Sequence, residues 1–395
     1  MLGLARDLRA SRRAFSIIAA ALGAGSALVI SILGACSLTA SPGDYAQGGG
    51  VDAAPNVSPP PLPPGGTRVL LLAAQRPTFR PNDDARIQET VSAIVRADGS
   101  VGDFFFDRAP PLLTGAYGQA LVDHGNVILL ANSSPAVAFA PLDPDSGALG
   151  ADWSAMLPDG SIQGLATTFV VPPSLLVAAG GFVEVPVDGG TTTEYNGNVF
   201  TATIDVAKRT AGAFVPSPAS LVGARGQARL VVSGAHLFAV GGRRDDVVVD
   251  DVEVAHLGEG GKPDAFVATA RLPLPVRPEV TVGGNRLFSV GGLIDRFHPT
   301  DRVFAAVIHD DDGRLEPWTT LPALPVALAL GGAVFVNGKL YYFGGLSEVP
   351  DGDAGPLAVA VPTVYVLDVD ANGSRWTVAG NLPAPRAGLA VTVMP

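Results

Sequence analysis

The sequence has little of several residue types, and each shortage argues against a class of protein. Its 395 residues include one cysteine, Cys36, so no disulfide can form within the chain. Three of the 26 basic residues are lysines and the net charge is −11, which argues against non-specific nucleic-acid binding. The five histidines show no zinc-ligand spacing, and no P-loop, dinucleotide fingerprint or Gly-x-Ser-x-Gly motif is present.

Glycine and proline, by contrast, are abundant, with 48 and 34 residues. Both residues favour turns and interrupt helices. The hydrophobic content of 47% is enough to bury a sizeable core. No capped amphipathic helix follows residue 36, so the composition predicts many short strands joined by turns.

The N-terminal residues predict export. Arg12 and Arg13 end a basic segment, and an apolar run follows over residues 14–35. The Leu-Gly-Ala before Cys36 resembles the bacterial lipobox, which implies that Cys36 is the site of lipid attachment. The paired arginines resemble a twin-arginine signal, and an ordinary basic segment fits them equally well. The apolar run is also long enough to span a bilayer, so an uncleaved anchor is the alternative.

The export signal divides the chain into three parts. Cleavage before Cys36 would remove four arginines and one aspartate and take the net charge from −11 to −14. Ser37 is not acidic, which in the lipoproteins that this signal resembles implies the outer membrane rather than the inner one. Residues 36–66 contain Gly-Gly-Gly and a proline run, typical of an extended tether. We therefore expect a signal peptide over 1–35, a lipidated tether over 36–66, and a folded domain over 67–395 in the cell envelope, on its periplasmic or surface face.

A short apolar strand that ends in a glycine pair recurs along the folded domain. The pair supplies positive φ angles and room for close backbone packing. Successive units end 48 to 61 residues apart. The copies are 337–345 (NGKLYYFGG), 285–292 (NRLFSVGG), 235–242 (AHLFAVGG), 174–181 (SLLVAAGG) and two without glycine pairs, 125–133 (GNVILLANS) and 67–74 (TRVLLLAA).

Each unit carries further strands around this segment. A proline-rich segment and a strand of small residues precede it, and a hairpin with an Asn/Asp/Gly turn follows it. The segment LYYFGG, the downstream Trp376 and residues 382–386 (LPAPR) resemble the kelch repeat, over roughly residues 66 to 395. The resemblance implies four strands per unit, arranged radially as a β-propeller.

The two ends of the domain predict how the ring closes. The first unit has no inner strand before Val69, and the chain ends with an inner strand over 387–393 that lacks a following partner. Pairing the two would complete one blade and hide both strand edges. We therefore expect an all-β, six-bladed kelch-type β-propeller closed by its C-terminal strand.

Candidate site residues are few. Arg225, Arg277 and Arg386 each stand near the start of a predicted inner strand, where such positions ring the mouth of the channel. Three guanidiniums at one mouth would suit a carboxylate or a sulfate. The alternative is that they bond carbonyls and carboxylates between blades, as arginines of kelch repeats often do. Acidic turns at 245–246, 250–251, 310–312 and 368–374 lack metal-ligand spacing, so we predict no metal, cofactor or catalytic residue.

These observations favour a binding protein over an enzyme. The leading hypothesis is a lipid-anchored propeller that serves as a binding scaffold for a protein or glycan. The alternative is a periplasmic sugar-binding or sugar-modifying propeller, such as the sialate epimerases that kelch proteins can resemble. Loops at 184–196 and 347–355 are predicted to be the longest, and loops on a rigid scaffold carry recognition. A small-residue channel favours the scaffold, and converging charges favour the sugar binder or enzyme.

Overall fold

Six small antiparallel sheets form a six-bladed β-propeller in the computed structural model, as the sequence predicts. The structure describes residues 59–394 except for 76–88, 108, 111–116, 132–135, 144–145, 151–152, 159–165, 173, 189, 246, 296, 351–355 and 372. The predicted signal peptide and most of the predicted tether lie outside these residues. Within them, no helix is both long enough and apolar enough to cross a membrane.

The strands are short and follow one another with few residues between them. The first fourteen are β1 (Thr67–Gln75), β2 (Glu89–Val95), β3 (Val101–Asp107), β4 (Tyr117–Asp123), β5 (Asn126–Ala131), β6 (Val137–Pro141), β7 (Ser154–Met156), β8 (Thr167–Val171), β9 (Leu175–Ala179), β10 (Phe182–Val187), β11 (Gly190–Tyr195), β12 (Asn198–Asp205), β13 (Thr210–Ala211) and β14 (Val215–Ser220).

The second half of the ring is built in the same way. Its strands are β15 (Arg229–Ser233), β16 (His236–Val240), β17 (Arg243–Arg244), β18 (Val247–Val248), β19 (Val252–His256), β20 (Val267–Ala268), β21 (Arg277–Gly283), β22 (Arg286–Leu293), β23 (Val303–Val307), β24 (Thr319–Thr320), β25 (Gly332–Val336), β26 (Lys339–Phe343), β27 (Leu346–Pro350), β28 (Pro356–Ala360), β29 (Thr363–Asp368), β30 (Thr377–Asn381) and β31 (Ala387–Val393). A 3-10 turn, Glu259–Gly261, follows β19.

The sheets define the six blades. Their strand orders are β3-β2-β1-β31, β4-β5-β6-β7, β8-β9-β12-β13, β15-β16-β19-β20, β21-β22-β23-β24 and β25-β26-β29-β30, and we number the blades 1 to 6 in that order. Strand β14 also pairs with β12. The predicted closure is confirmed, because β31 pairs with β1 in the register Val69 to Val393. The inner strands are therefore β4, β8, β15, β21, β25 and β31.

The glycine pairs join one blade to the next. Gly241 has a φ of +59°, and a β carbon there would lie 2.2 Å from the carbonyl oxygen of Val276 in the following blade. The second glycine of a pair also donates its N–H to the start of the next inner strand: Gly345 N bonds Arg386 O at 2.8 Å. A side chain at the first glycine would push the next blade away, and one at Gly345 would lie 2.8 Å from the carbonyl oxygen of Ala329 in its own blade. The pair therefore sets the packing both between blades and within a blade.

Three extra hairpins follow glycine pairs, on the side of the ring that we call the glycine face. They are β10–β11, β17–β18 and β27–β28. The first and third cover the segments that the sequence predicts as long loops. The residues of β10 and β11 pair in unbroken register from Phe182 with Tyr195 to Val187 with Gly190, so this segment is a hairpin rather than an irregular loop.

Apolar side chains fill the spaces between blades. Large buried residues such as Phe139, Phe238, Phe288 and Phe343 come from the second strand or third strand of each blade. Tryptophans after the outer turns tie a blade to its predecessor: the indole N–H of Trp376 donates to Pro322 O at 2.8 Å. Trp318 donates in the same way to Ala270 O at 2.8 Å. These contacts hold the ring in place around its channel.

Candidate functional site at the glycine-side mouth of the channel

The six inner strands surround a cavity of about 290 Å³ along the axis of the ring. The cavity is lined by residues from every blade, because each inner strand turns one face toward the axis. Its volume is near the lower end of the range for small-molecule sites, which is roughly 300–1,000 Å³. The channel can therefore hold a small ligand or one end of a larger one.

Equivalent positions of the six inner strands form a ring in this cavity. In blades 2 to 6 the position is the fifth residue before the turn to the next strand, and in blade 1 it is the residue paired with Leu72. The occupants, from blade 1 to blade 6, are Ala390, Gln119, Thr167, Arg229, Glu279 and Gly332, and all line the cavity. Four adjacent blades thus present polar side chains, which we call the polar crescent, and blades 6 and 1 present small ones.

Arg229 and Glu279 form an ion pair within the crescent. Arg229 Nη2 donates to Glu279 Oε1 at 2.8 Å, and Arg229 Nε donates to the carbonyl oxygen of Pro278 at 3.2 Å. Burial raises the pKa of the Glu279 carboxyl, while the positive charges of Arg229 and Arg277 oppose that shift. Burial thus makes the Glu279 carboxyl a weaker acid than an exposed glutamate, and its ion pair with Arg229 offsets part of that effect.

The other two members of the crescent supply uncharged polar groups. Gln119 Oε1 accepts a hydrogen bond from the N–H of Val170 in blade 3 at 2.9 Å. This bond fixes the orientation of the Gln119 side-chain amide. Thr167 is 7% exposed, and its hydroxyl has no hydrogen-bond partner within the described part of the chain. A buried hydroxyl without a partner costs free energy.

The structure places the three predicted arginines in different surroundings. Arg225 is fully buried and forms an ion pair with Glu253. It also donates to the carbonyl oxygens of Gly241 and Gly223, both at 2.9 Å. The Arg225 guanidinium therefore bonds groups of blade 4 and the segment before it, while the Arg225 carbonyl oxygen accepts the N–H of Gly181 in blade 3 at 2.8 Å. Arg225 does not line the cavity.

Arg386 is also buried, with 2% exposure. Its Nη1 donates to Ala384 O at 2.6 Å, and its guanidinium lies 5.7 Å from the ring centroid of Phe106. These contacts join the start of β31 to the outer strand of blade 1. A convergence of Arg225, Arg277 and Arg386 on one ligand is thus not what the structure shows, because two of the three are enclosed in protein.

Arg277 is less buried than the other two predicted arginines, and it is not among the residues that line the cavity. It begins the inner strand of blade 5, two residues before Glu279, and its Nη1 donates to Gln227 Oε1 of blade 4. Its Nε is buried and has no acceptor among the described residues. Burial, with the charges of Arg243 and Arg229, lowers the pKa of Arg277 to about 10. We call Arg229, Arg243 and Arg277 the arginine cluster.

No sequence pattern singles out most of these residues. Gln119, Thr167, Arg229 and Glu279 belong to no motif, and they differ in chemistry from blade to blade. A usable signal was present nonetheless: each stands at the same count from a hairpin turn. Aligning the units on their turns, rather than on their glycine pairs, would have placed all four in one ring.

The acidic turns do not assemble a metal centre in the described residues, where no group of three His, Cys, Asp or Glu side chains is arranged to hold a metal ion. The Asp368 carboxylate illustrates their role. It pairs with Lys339 Nζ at 2.7 Å and accepts the N–H of Ala371 at 3.2 Å, as an aspartate that shapes a turn does.

Comparison with known proteins supports the fold and no narrower assignment. A solved structure described as "Structure of YjhT" matches with a TM-score of 0.52 and 15% sequence identity, over 70% of this chain and 88% of that one. No family model matches the chain, and no curated protein matches it. At this identity the structural match shows a shared β-propeller fold.

Proposed function

We propose that this protein is an exported, lipid-anchored kelch-type β-propeller of the cell envelope that binds a small polar ligand, or part of a larger one, in its channel. The single observation that carries the binding role is the polar crescent. Four polar side chains from four adjacent blades converge on one cavity, opposite two small residues that leave space. A channel that served only to support the ring would be filled more simply by small apolar residues.

The composition of the crescent favours a polyhydroxylated ligand, and we propose a sugar. Arg229 and the Gln119 amide donate hydrogen bonds, Glu279 accepts them, and Thr167 does both. Threonines 168, 281 and 392 also line the cavity. A sugar offers many hydroxyl groups that act as donors and acceptors at once, which matches a mixed set of this kind.

The binding role is tested by thermal denaturation of the full chain with a panel of neutral sugars and sugar acids. We expect at least one of them to raise the melting temperature, because a ligand that binds only the folded state stabilises it. Arg229→Gln and Glu279→Gln should each weaken that effect. Arg96→Gln is the matched control, since it breaks an exposed ion pair with Asp103 on an outer strand. Equal ligand effects in all three variants would reject the crescent as the site.

A sugar-modifying activity is the second candidate, and Glu279 is the observation that favours it. Its carboxyl has a raised pKa, lies in the channel and is paired with an arginine, which suits a group that exchanges a proton with a sugar hydroxyl. The test follows interconversion of sugar isomers by NMR with wild-type protein and Glu279→Gln. Acceleration by the wild type that the variant lacks would make the protein an enzyme. Binding without acceleration would leave the scaffold role.

The envelope location rests on Cys36 and the residues before it, which lie outside the described residues. We expect Cys36→Ser to block lipid attachment and cleavage and to leave the protein unprocessed or misplaced. Metabolic labelling with a fatty acid and membrane fractionation measure this directly. An unchanged mature mass and an unchanged membrane fraction would show that Cys36 is not the anchor.

A further inference from the structure

The hairpin formed by β10 and β11 projects from the glycine face of the ring. Its two strands pair only with each other within the described part of the chain. Four of the six residues of β10 and five of the six of β11 are exposed, so neither face of the hairpin is packed against the ring along its length. A two-stranded hairpin is only marginally stable by itself in water, and a third strand stabilises it.

The register of the hairpin fixes which of its backbone groups point outward. Val187 pairs with Gly190 across a two-residue connection, so these two residues exchange hydrogen bonds and every second pair after them does not. The next pair, Pro186 with Thr191, is therefore of the open kind, and so is the pair that contains Thr193. The N–H and C=O groups of both threonines point away from β10, and they bond no other backbone group among the described residues.

The two edges of the hairpin differ in how they receive another strand. On β10 the outward positions include Glu184 and Pro186, and the proline has no N–H to offer. Charge and proline are the usual means by which proteins protect the edge of a sheet. On β11 the outward positions hold Thr191 and Thr193, which are β-branched and favour strands, and β11 contains neither proline nor lysine. The edge of β11 is therefore open to a further strand.

The other two extra hairpins do not offer such an edge. Strands β17 and β18 have two residues each, too few for a stable pairing. In β27, Leu346 already exchanges backbone hydrogen bonds with Ala329, at 3.0 and 2.6 Å. Its partner β28 begins with a proline, Pro356. Of the three hairpins on the glycine face, β10–β11 is thus the one with an unprotected edge of full strand length.

The charge of the hairpin selects the kind of strand that fits. Residues 182–195 include Glu184, Asp188 and Glu194 and no basic residue. Pairing with the same hairpin of a second copy would bring carboxylates together without a cation, and like charges on facing strands are destabilising. A lysine or arginine opposite Glu194 would instead form a favourable cross-strand pair, and so would a β-branched residue opposite a threonine.

We propose that the outer edge of β11 is a docking site for an extended, basic segment of another protein, which adds to the hairpin as a third, antiparallel strand. In this mode of recognition, main-chain hydrogen bonds provide affinity and alternate side chains provide specificity. The groups of Thr191 and Thr193 supply the main-chain bonds, and Glu194 faces a basic side chain. Strand β11 does not line the cavity, so this surface is separate from the polar crescent.

The first experiment measures binding of a short labelled peptide, in which lysine alternates with valine or threonine, to the full chain by fluorescence anisotropy. We expect this peptide to bind, and the same peptide with glutamate in place of lysine to bind at least about tenfold more weakly. Glu194→Lys should reverse this preference. Glu259→Lys is the control of equal charge, because Glu259 is exposed in the turn after β19, outside the hairpin.

Methylation of the peptide backbone tests the strand pairing without altering the protein. In antiparallel pairing, residues that exchange hydrogen bonds lie on the same face of the sheet. The valine and threonine residues of the peptide would therefore bond Thr191 and Thr193, while the lysine N–H groups point to solvent. N-methylation of the valine and threonine residues should abolish binding, and N-methylation of the lysines should leave it nearly unchanged.

Thr193→Pro tests the same edge from the side of the protein. The substitution removes an outward N–H without breaking a bond within the hairpin, and it should weaken peptide binding by at least about tenfold. Absence of binding by the lysine peptide, equal effects of the two methylation patterns, or equal affinity of Thr193→Pro and the wild type would overturn the proposal. A dimer of the full chain that Thr193→Pro dissociates, seen by sedimentation velocity, would also overturn it, since a second copy would then occupy the edge.

Discussion

Val69 in the first strand of the propeller pairs with Val393 in the last, so the two ends of the folded chain close the ring within one blade. The pairing continues inward to Gln75 and Ala387. Leu389 and Ala390 of this last strand are 4% and 2% exposed and pack into the cores on both sides of blade 1. Buried apolar area therefore stabilises the closed ring in addition to strand pairing.

Deleting residues 382–395 should cause aggregation or protease sensitivity. The deletion removes one strand of blade 1 and leaves the edge of β1 unpaired, and each large apolar side chain lost contributes about 1.5–3 kcal/mol. Several such losses approach the whole stability of a domain. The measurement is size-exclusion chromatography with limited proteolysis. Deleting residues 40–60, in the predicted tether, is the control and should leave the melting temperature nearly unchanged, whereas a soluble, cooperative protein ending at residue 381 would contradict this account of closure.

Arg225→Met should destabilise the protein by about 3–5 kcal/mol, because it leaves the buried Glu253 carboxylate without its partner. Glu253 is held in place by the N–H groups of Val222 and Gly223, both at 2.8 Å, so it cannot turn away to solvent. Urea denaturation measures the loss. The control is Arg271→Met, whose guanidinium pairs with exposed or half-buried aspartates and should matter by at most about 1 kcal/mol. Equal effects of the two substitutions would show that Arg225 does not hold the blades together.

Gly332→Ala should destabilise the protein by about 1–3 kcal/mol through overpacking. A β carbon at Gly332 would lie 2.0 Å from Cγ2 of Val391, across the junction of blades 6 and 1. Adding Val391→Ala should restore part of the loss, which a cycle of single and double variants would detect. Gly190→Ala serves as the control, because no atom lies within 4 Å of its added methyl. Thermal denaturation gives the ranking, and no difference between the two glycines would refute it.

Acidification should destabilise the protein partly through His236. This side chain is 5% exposed, and burial, followed by the charge of His256, lowers its pKa, while Asp310, Asp311 and Asp312 oppose the shift. Gly313 packs directly against its imidazole. The folded state therefore holds His236 neutral, and as the pH falls through the ordinary value near 6.5 the unfolded chain gains the proton first.

The contribution of His236 can be recognised from how the free energy of unfolding depends on pH. Between about pH 7 and pH 5.5 the free energy of unfolding should fall by up to about 1.4 kcal/mol per pH unit more in the wild type than in His236→Gln. Denaturation curves at several pH values measure the difference in slope. His309→Gln removes an exposed histidine and should leave the slope as it is in the wild type. A slope unchanged by loss of His236 would mean that its imidazole already titrates normally in the fold.

The fold could be predicted from the sequence because the repeat acts locally. A glycine pair after an apolar strand has one steric consequence wherever it occurs, and the four units with the pair, together with the two without it, specify six blades. The unpaired inner strand at the C-terminus predicts the closure for the same reason, since an unpaired edge is costly in any arrangement. The two copies without glycine pairs could also be placed. In the second of them, residues 125–133, Leu130 pairs with Gln119 and so takes the position that Phe343 holds in blade 6.

The polar crescent could not be predicted from the sequence, and none of the three predicted arginines lines the cavity. Arginines that start inner strands look alike in the sequence, yet Arg225 forms an ion pair with Glu253 while Arg277 donates to Gln227 of the preceding blade. The four residues of the polar crescent share no motif, and most pairs of them are at least 50 residues apart in the sequence. The sequence by itself determined the strands, the number of blades and the closure, because those follow from short-range sterics and pairing. Which side chains converge on the channel was decided by the tertiary structure, since only ring closure brings equivalent positions of different blades around one axis.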